Sequence, residues 1–435
     1  MSLHVVFKSD NRQHATLQLP EQAQTLKPSS VRVRASLITL SSNNLSYARG
    51  GTRLHWWDAY PVPGSAPAPY NGNSAWGIVP AWGLATILES TISDIEPGTT
   101  LYGFWPTSQH AVDLKLVPGE VKGHWHESSA HRAVLLPLYN RYNVLDVAGR
   151  DAESLGWEVG IKPVLLAGYV LSQYVFTPDA KVNPPVHPFG GTEGWGPDVA
   201  DLSKSIVVSL SASTKTARSL AYYFYCRPAR SGPSGFLQVT SSPGALAEAA
   251  QKFIPQFPVR AVSYEDVESV DAWLGCIKAN RIVIADFGAR DGTLDKLLAL
   301  ISNSDALKGL EVTILQIGSQ QKIYTSGEAE TAQAAVGALG KVRTNTSAIQ
   351  ETAIELQGAG PYFAEFTKRW NLWLGHRECA APDLKLVWGD GVAGGEGIEG
   401  GWDRLCEGKV KPEEVLVYRL STIAKPGNAP SESRR

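Results

Sequence analysis

The chain has 435 residues, 43% hydrophobic and 19% charged, with a formal net charge of −2 at neutral pH. This balance excludes a disordered or fibrous protein, supplies core material for two domains, and leaves no block of like charge to mark a nucleic-acid partner. Cys226, Cys276, Cys379 and Cys406 stand far apart in no metal-binding spacing, and neither a leader at Met1 to Asp10 nor an apolar run of membrane-spanning length occurs, so a soluble cytoplasmic protein with reduced thiols is expected.

From His4 to Pro118 the sequence is rich in strands, most clearly where Val31, Arg32, Val33, Arg34 and Ala35 alternate. Turns follow one another closely: Ile95-Glu96-Pro97-Gly98-Thr99 precedes a strand at Thr100 to Trp105, and Val117-Pro118-Gly119 closes the next. Short strands cut by Pro and Gly predict a partly open β-barrel. Ala130 to Tyr142 changes to longer apolar spacing, Leu165 to Phe176 reads as a helix, and Asn183 to Pro197, rich in Pro and Gly, reads as a loop or a flap.

Strand and helix then alternate as in a parallel sheet covered on both faces. Strands are predicted at Ile206 to Leu210, Phe236 to Thr240, Ala261 to Tyr264, Ile282 to Phe287 and Val312 to Ile317, with helices at Ala245 to Phe253 and Thr293 to Ser302. Tyr362 to Leu374 is a further helix, and Trp402 to Val410 leads to a last strand at Glu414 to Leu420. The α/β chain therefore divides into a barrel domain at 1–160, a Rossmann-like nucleotide-binding domain at 161–345, and a return to the barrel at 346–435.

The first strand of the parallel sheet carries the most informative turn. Ser205-Ile206-Val207-Val208-Ser209-Leu210 runs into Ser211-Ala212-Ser213-Thr214-Lys215, and Thr216 to Phe224 follows as an apolar helix. A dinucleotide-binding fold places its phosphate turn here, yet the glycines of G-x-G-x-x-G are absent. Ser209, Ser211, Ser213 and Thr214 put side chains into that space. Those hydroxyls and Lys215 either bind phosphate oxygens or fill a site that has lost its cofactor.

A barrel, a parallel sheet and a C-terminal return resemble the medium-chain dehydrogenase/reductase superfamily, and Ser41 to Gly50 is similar to its N-P-x-D-x-x-x-x-x-G turn, with Asn44 where Asp is usual. Within that superfamily, Asn43-Asn44-Leu45-Ser46-Tyr47-Ala48, Trp76 to Ala85, His131 to Tyr142 and the turn Ser211 to Ala217 resemble the uncharacterised family catalogued as domain of unknown function 2855. The resemblance implies a GroES-like barrel and a Rossmann-like sheet, and leaves the chemistry open.

The Gly-His-Glu and clustered cysteines of zinc alcohol dehydrogenases have no counterpart here, and His124, His126 and His131 read better as a solvated loop than as a ligand set, so no metal is expected. Proton delivery then falls to a side chain. Zinc-free reductases of the superfamily often use a Tyr in this region, which makes Tyr47 the catalytic candidate, with Asn44 orienting it or the substrate; otherwise Tyr47 packs under the barrel with its hydroxyl on a backbone carbonyl. Trp57, Trp82, Tyr139 and Tyr142 are candidate substrate contacts, although most of the many rings of the first 130 residues belong to the core.

Cofactor choice rests on the end of the second sheet strand, where Phe236-Leu237-Gln238-Val239-Thr240 meets Ser241-Ser242 and no carboxylate excludes a 2′-phosphate. If either binds, NADPH is favoured over NADH, with Ser211, Ser213, Thr214, Lys215, Arg218, Ser241 and Ser242 as contacts and Tyr264 either beside the adenine or capping the sheet. Lys215 and Arg218 read equally well as solvated residues of the first helical turn. The expectation is a zinc-independent NADPH-dependent reductase of a conjugated, apolar or aromatic carbonyl, with hydride transfer in the cleft between barrel and sheet and a homodimer compatible with the sequence. A cofactor-free lyase, cyclase or isomerase and a non-catalytic binder are the alternatives.

Overall fold

The computed structural model describes residues 1–21, 25–290, 292–324 and 339–421. They divide into two units, one from Met1–Pro163, Gln321–Ile323 and the chain from Lys385 on, the other from Val164–Gln320 and Tyr324–Leu384.

In the first unit β1 (Ser2–Phe7) and β2 (His14–Gln18) form an antiparallel hairpin. Strand β3 (Ser30–Leu40) leads directly into helix α1 (Ser42–Gly50), and β4 (Trp76–Gly77) pairs with β1. Then β5 (Pro80–Ser90), β6 (Thr100–Pro106), β7 (Val112–Pro118), β8 (His124–Glu127) and β9 (Arg141–Val144) complete a barrel in the order β3-β5-β6-β9-β8-β7, with β7 returning to β3. The barrel is thus closed, where the sequence pattern leaves it partly open. Irregularities between Arg32 and Val33 and between Ala35 and Leu37 bend β3, which pairs with β5 on one edge and gives Ser30–Val33 to β7 on the other. Its last residues pair with the closing strand Glu414–Arg419, itself parallel to Lys385–Asp390.

The N-terminal hairpin is fastened to the late helix Ile398–Cys406 by a chain of imidazoles. His14 Nε2 lies 2.8 Å from Asp403 Oδ1, and His14 Nδ1 lies 3.0 Å from Nε2 of the fully buried His4. With a carboxylate at one end, His14 carries its proton on Nε2 and accepts one from His4, which leaves His4 Nδ1 buried without a partner.

The second unit takes over within α2 (Ala152–Val170), which continues as a π-helical turn at Leu171–Val175. The helix starts before the predicted Leu165 because Gly156 and Gly160 allow close packing. A Cβ at Gly160 would stand 2.3 Å from Val415. Six parallel strands follow: β10 (Ser205–Leu210), β11 (Gly235–Val239), β12 (Val259–Val262), β13 (Arg281–Phe287), β14 (Glu311–Gly318) and β15 (Val342–Arg343). Their order, β12-β11-β10-β13-β14-β15, is that of a dinucleotide-binding sheet. Between them lie α3 (Lys215–Tyr225), α4 (Pro243–Phe253) and α5 (Thr293–Asn303), and α6 (Thr346–Gln357) and α7 (Ala359–Ala380) follow. Val208, Leu210, Leu237, Ile282 and Ile284 form one core with Leu297 and Ile301 of α5.

The expected boundary at 346 moves to Lys385, because Tyr362 and Phe366 of α7 pack on Tyr169 of α2. The segment read as a loop or flap is pinned: Trp195 Nε1 donates to Val175 O at 2.7 Å, Gly191 N to Thr352 Oγ1 at 2.9 Å and Asn345 N to Pro188 O at 2.8 Å. Among the described residues no helix is long and apolar enough to cross a membrane.

Burial, reinforced by His14, lowers the His4 imidazole from 6.5 to about 3. The unfolded chain then binds the proton first, so stability falls as pH drops from about 6.5 toward 3. Urea midpoints measured from pH 7.5 to pH 4 are expected to decline, and His4→Gln to flatten the slope by close to one proton. An unaltered slope would assign that proton elsewhere.

Candidate functional site

Helix α1 begins with a capping box. The Ser41 hydroxyl accepts from Asn43 N at 3.3 Å, and Asn44 Oδ1 accepts from Ser41 N at 2.8 Å. Asn44 Nδ2 donates to Pro80 O at 2.9 Å, where β5 starts. Asn44 is therefore a structural member: both ends of its amide are committed to backbone, and it acts on Tyr47 only by fixing the helix that carries it.

Tyr47 is buried, 8% exposed, and its ring meets Trp56, Phe104 and Tyr139 edge-on at centroid distances of 4.9, 5.1 and 6.0 Å. The phenol oxygen accepts from Trp82 Nε1 at 3.1 Å, and Trp82 stacks on Tyr102 at 5.8 Å. Burial pushes the phenol well above 10, the Tyr139 hydroxyl adds to that, and the Trp82 N–H opposes it. Tyr47 stays protonated across the neutral range. No described residue accepts the proton it carries.

Of the four expected substrate contacts, Trp82 and Tyr139 join this cluster. Tyr142 and Trp57 do not. The fully buried Tyr142 hydroxyl is held by Arg132 Nη1 at 2.8 Å, Tyr60 at 3.0 Å and Phe104 O at 3.0 Å. Trp57 fills the space over Gly51 and Gly77, where an added Cβ would come within 2.4 Å of its ring. The sequence pattern overlooks Arg132, which is 1% exposed and whose Nη2 donates to Tyr139 O at 2.9 Å. That guanidinium fixes Tyr139 directly and Phe104 through Tyr142, and both rings touch Tyr47.

Farther along the barrel, His126 Nε2 lies 3.4 Å from Glu120 Oε2. Among the described residues no three His, Cys, Asp or Glu side chains converge as a metal site.

In the parallel-sheet unit, β10 and β13 are neighbours whose chains leave toward opposite sides, which makes the space beyond their ends the topological switch point. Ser211 follows β10 with φ +57, the left-handed conformation for which the usual fingerprint has a glycine. That conformation costs a serine roughly 1 kcal/mol, offset by its hydroxyl, which donates to Gly288 O at 2.7 Å and meets Tyr264 OH at 3.0 Å. Gly288 is required in turn: its φ is +105, and a Cβ there would stand 2.4 Å from Ser319 backbone.

Thr214 caps α3, its hydroxyl accepting from Ala217 N at 3.4 Å, and half-buried Lys215 is the first helical residue. The buried Ser213 gives its carbonyl to Arg218 Nε at 2.9 Å. Arg218 is the correction here. It is 5% exposed and its terminal nitrogens form a bidentate pair with Asp383 at 2.6 and 2.7 Å, so its guanidinium is buried against a carboxylate rather than turned to a phosphate. Exposed Ser241 and half-buried Ser242 end the neighbouring strand. Tyr264 lies under Arg290, whose guanidinium sits 4.5 Å above its ring and is exposed. Asp286 accepts from Gly288 N and Ala289 N at 3.0 and 2.8 Å and pairs with Lys341 at 3.3 Å, and so braces the loop.

The profile of the family described as "Protein of unknown function (DUF2855)" matches residues 38–411. The chain belongs to this family. A comparison of the DUF2855 chain with curated proteins gives no match. Among solved structures, CurA from Vibrio vulnificus in complex with NADPH is similar with a TM-score of 0.53 at 10% identity, over 97% of this chain and 100% of that one. A second CurA structure from Vibrio vulnificus gives 0.51 at 12% identity, over 97% and 99%. The CurF ER cyclopropanase of the curacin A biosynthetic pathway gives 0.51 at 11% identity, over 97% and 99%. At such identities the likeness is one of fold. The DUF2855 chain has the medium-chain dehydrogenase/reductase-like architecture of a barrel with a Rossmann-like sheet.

The Arg218–Asp383 pair gives a direct expectation. Arg218→Ala leaves Asp383 unpaired, and since a quarter of that carboxylate remains in solvent, the loss sits at the low end for such pairs, roughly 2 kcal/mol. Asp383→Ala is expected to cost about as much and the double replacement less than the sum, by denaturant unfolding. Strict additivity would mean that the two side chains do not couple.

Proposed function

We propose that this DUF2855 protein is a zinc-independent, NADPH-dependent reductase of a conjugated carbonyl compound, an enone, quinone or polyketide-like small molecule. The observation that carries the reading is the Tyr47 phenol, which is held by Trp82 Nε1, kept protonated by burial, and has no described acceptor for its own proton. Such a group donates a hydrogen bond or a proton to an oxygen on which negative charge gathers. Trp82 N–H then steadies the phenol oxygen as it loses its proton. Trp56, Tyr102 and Tyr139 supply flat apolar surface, which suits a conjugated substrate better than a sugar or a phosphate ester.

The edge of the parallel sheet fits a phosphorylated dinucleotide. Ser213 and Thr214 would hold the pyrophosphate at the start of α3, and Lys215, Ser241 and Ser242 the 2′-phosphate, with no carboxylate at the end of β11 to repel it. Tyr264 would flank the adenine, and Arg290 supplies an exposed cation in the role expected of Arg218. When bound, NADPH supplies the hydride. The similar CurA structure was solved with NADPH.

A cofactor-free lyase, cyclase or isomerase is the second reading. It draws on the Ser211 hydroxyl, which reaches Gly288 and Tyr264 across the crevice that a pyrophosphate would approach, and one protein of similar fold is a cyclopropanase.

Titration followed by tryptophan fluorescence is expected to give at least tenfold tighter binding of NADPH than of NADH, about 1.4 kcal/mol, as one charge-assisted contact supplies. Lys215→Ala should erode that preference. Equal affinities would remove the 2′-phosphate argument, and no binding at millimolar concentration together with turnover selects the second reading.

Across a panel of aromatic enones and quinones, Tyr47→Phe should lower kcat by roughly 10²-fold with little change in KM, as expected for a donor that acts on the transition state. Full kcat in that variant, with activity lost in Tyr139→Phe, would move the reactive hydroxyl to Tyr139.

A further inference from the structure

We infer that the parallel-sheet unit holds a second small-molecule site, apart from the dinucleotide edge, which takes an apolar organic acid through Arg369. A cavity of about 620 Å³ opens among α2, its π-helical extension and the helices α6 and α7, lined by Tyr169, Gln173, Val182, Gln357, Pro361 and Arg369. That volume suits a small ligand. Its place is far from the phosphate turn. Helix α3 starts at that turn and is 11 residues long, about 16 Å, and Tyr223 near its far end packs on Tyr169 at 5.8 Å.

Three features make this a built site rather than a packing gap. The first is the π-helical turn at Leu171–Val175, a rare geometry that often accompanies function. It contributes Gln173, only 9% exposed, whose carboxamide oxygen has no partner among the described residues and whose nitrogen meets only Ser172 Oγ at 3.2 Å.

The second is a fixed, uncharged wall. Tyr174 OH donates to Gln357 Oε1 at 2.8 Å and Gln357 Nε2 donates to Asn183 Oδ1, at the start of the segment that Trp195 and Thr352 pin down. The cavity therefore has a set shape before a ligand arrives.

The third is Arg369. Its Nε donates to Glu365 Oε1 at 2.6 Å, which fixes the guanidinium plane, while both terminal nitrogens lack a partner among the described residues. An open planar fork of this kind matches a carboxylate in bidentate fashion. Glu365 and the exposed Asp179 at the rim oppose excess negative charge, so a monocarboxylate is accepted ahead of a dianion such as phosphate. The body of the acid then lies against Tyr169, Val182 and Pro361.

The test uses the full chain and ¹⁹F NMR line broadening of 4-fluorophenylacetate, with 4-fluorophenylacetamide as the neutral control and inorganic phosphate as competitor. The acid is expected to bind at least tenfold more tightly than the amide, to resist displacement by equimolar phosphate, and to lose at least tenfold in affinity in Arg369→Gln. Val182→Trp, at a position 67% exposed and outside the core, is expected to fill the cavity and abolish binding without unfolding the chain. Absence of binding to the unsubstituted protein, equal binding of acid and amide, or binding retained in both variants would overturn the inference. Displacement of the acid by NADPH would also overturn it while leaving the reductase reading standing, whereas a failure of NADPH to bind would leave this site untouched.

Discussion

Strand β3 is the constraint on which the antiparallel unit hangs. It borders three other strands, giving one edge to β5 and dividing the other between β7 at its start and the closing strand Glu414–Arg419 at its end. A straight strand cannot do this, and the two irregularities in its pairing supply the bend. The direction in which β3 ends decides where α1 starts. Because Asn44 ties the first turn of that helix both to Ser41 and to Pro80 on β5, the phenol of Tyr47 is set by barrel geometry rather than by a mobile loop.

Both units contain arginines buried largely among neutral oxygens. Arg132 is held by a tyrosine hydroxyl and a carbonyl, with Glu127 more distant at 3.8 Å. Arg227 donates to the carbonyls of Ser172, Phe176 and Ser231, and burial draws its guanidinium down to about 9. Arg281 holds Val199 O and Asp201 O at 2.9 and 2.7 Å. A guanidinium offers five donors in one plane, so a single side chain can collect carbonyls that no strand or helix satisfies, which is how irregular backbone beside β10 and around the π-helical turn is kept in register.

Much of this architecture is legible in the sequence. Ile206–Leu210 and Ile282–Phe287 announce buried parallel strands, since apolar residues face both ways and the flanks carry turn residues. The Ser-for-Gly turn after β10 is equally visible. Other parts have no local signal. Ser42–Gly50 has too few apolar residues to show a helical period, and its helix depends on the capping box and on what precedes it. Barrel closure depends on bulges that pairing, not composition, creates. Val342–Arg343 is a two-residue strand below any periodic window. Arg132 passes unnoticed, and Arg218 reads as a phosphate contact or a solvated charge, because a sequence does not reveal that Tyr142 and Asp383 wait for them. Tyr142 and Trp57 stood out by size alone, and size is shared by core and site.

The bond from Trp82 to Tyr47 has an optical consequence. An indole in direct contact with a phenol reports the charge of that phenol through its emission, because a phenolate beside the ring quenches it. Trp82 therefore serves as a built-in indicator dye for the Tyr47 hydroxyl. A chain with many tryptophans would usually blur such a signal, yet only this indole, among the described residues, donates to the Tyr47 oxygen. Time-resolved emission compared between the protein and its Trp82→Phe form isolates one lifetime component, and with it the ionisation history of a single oxygen atom.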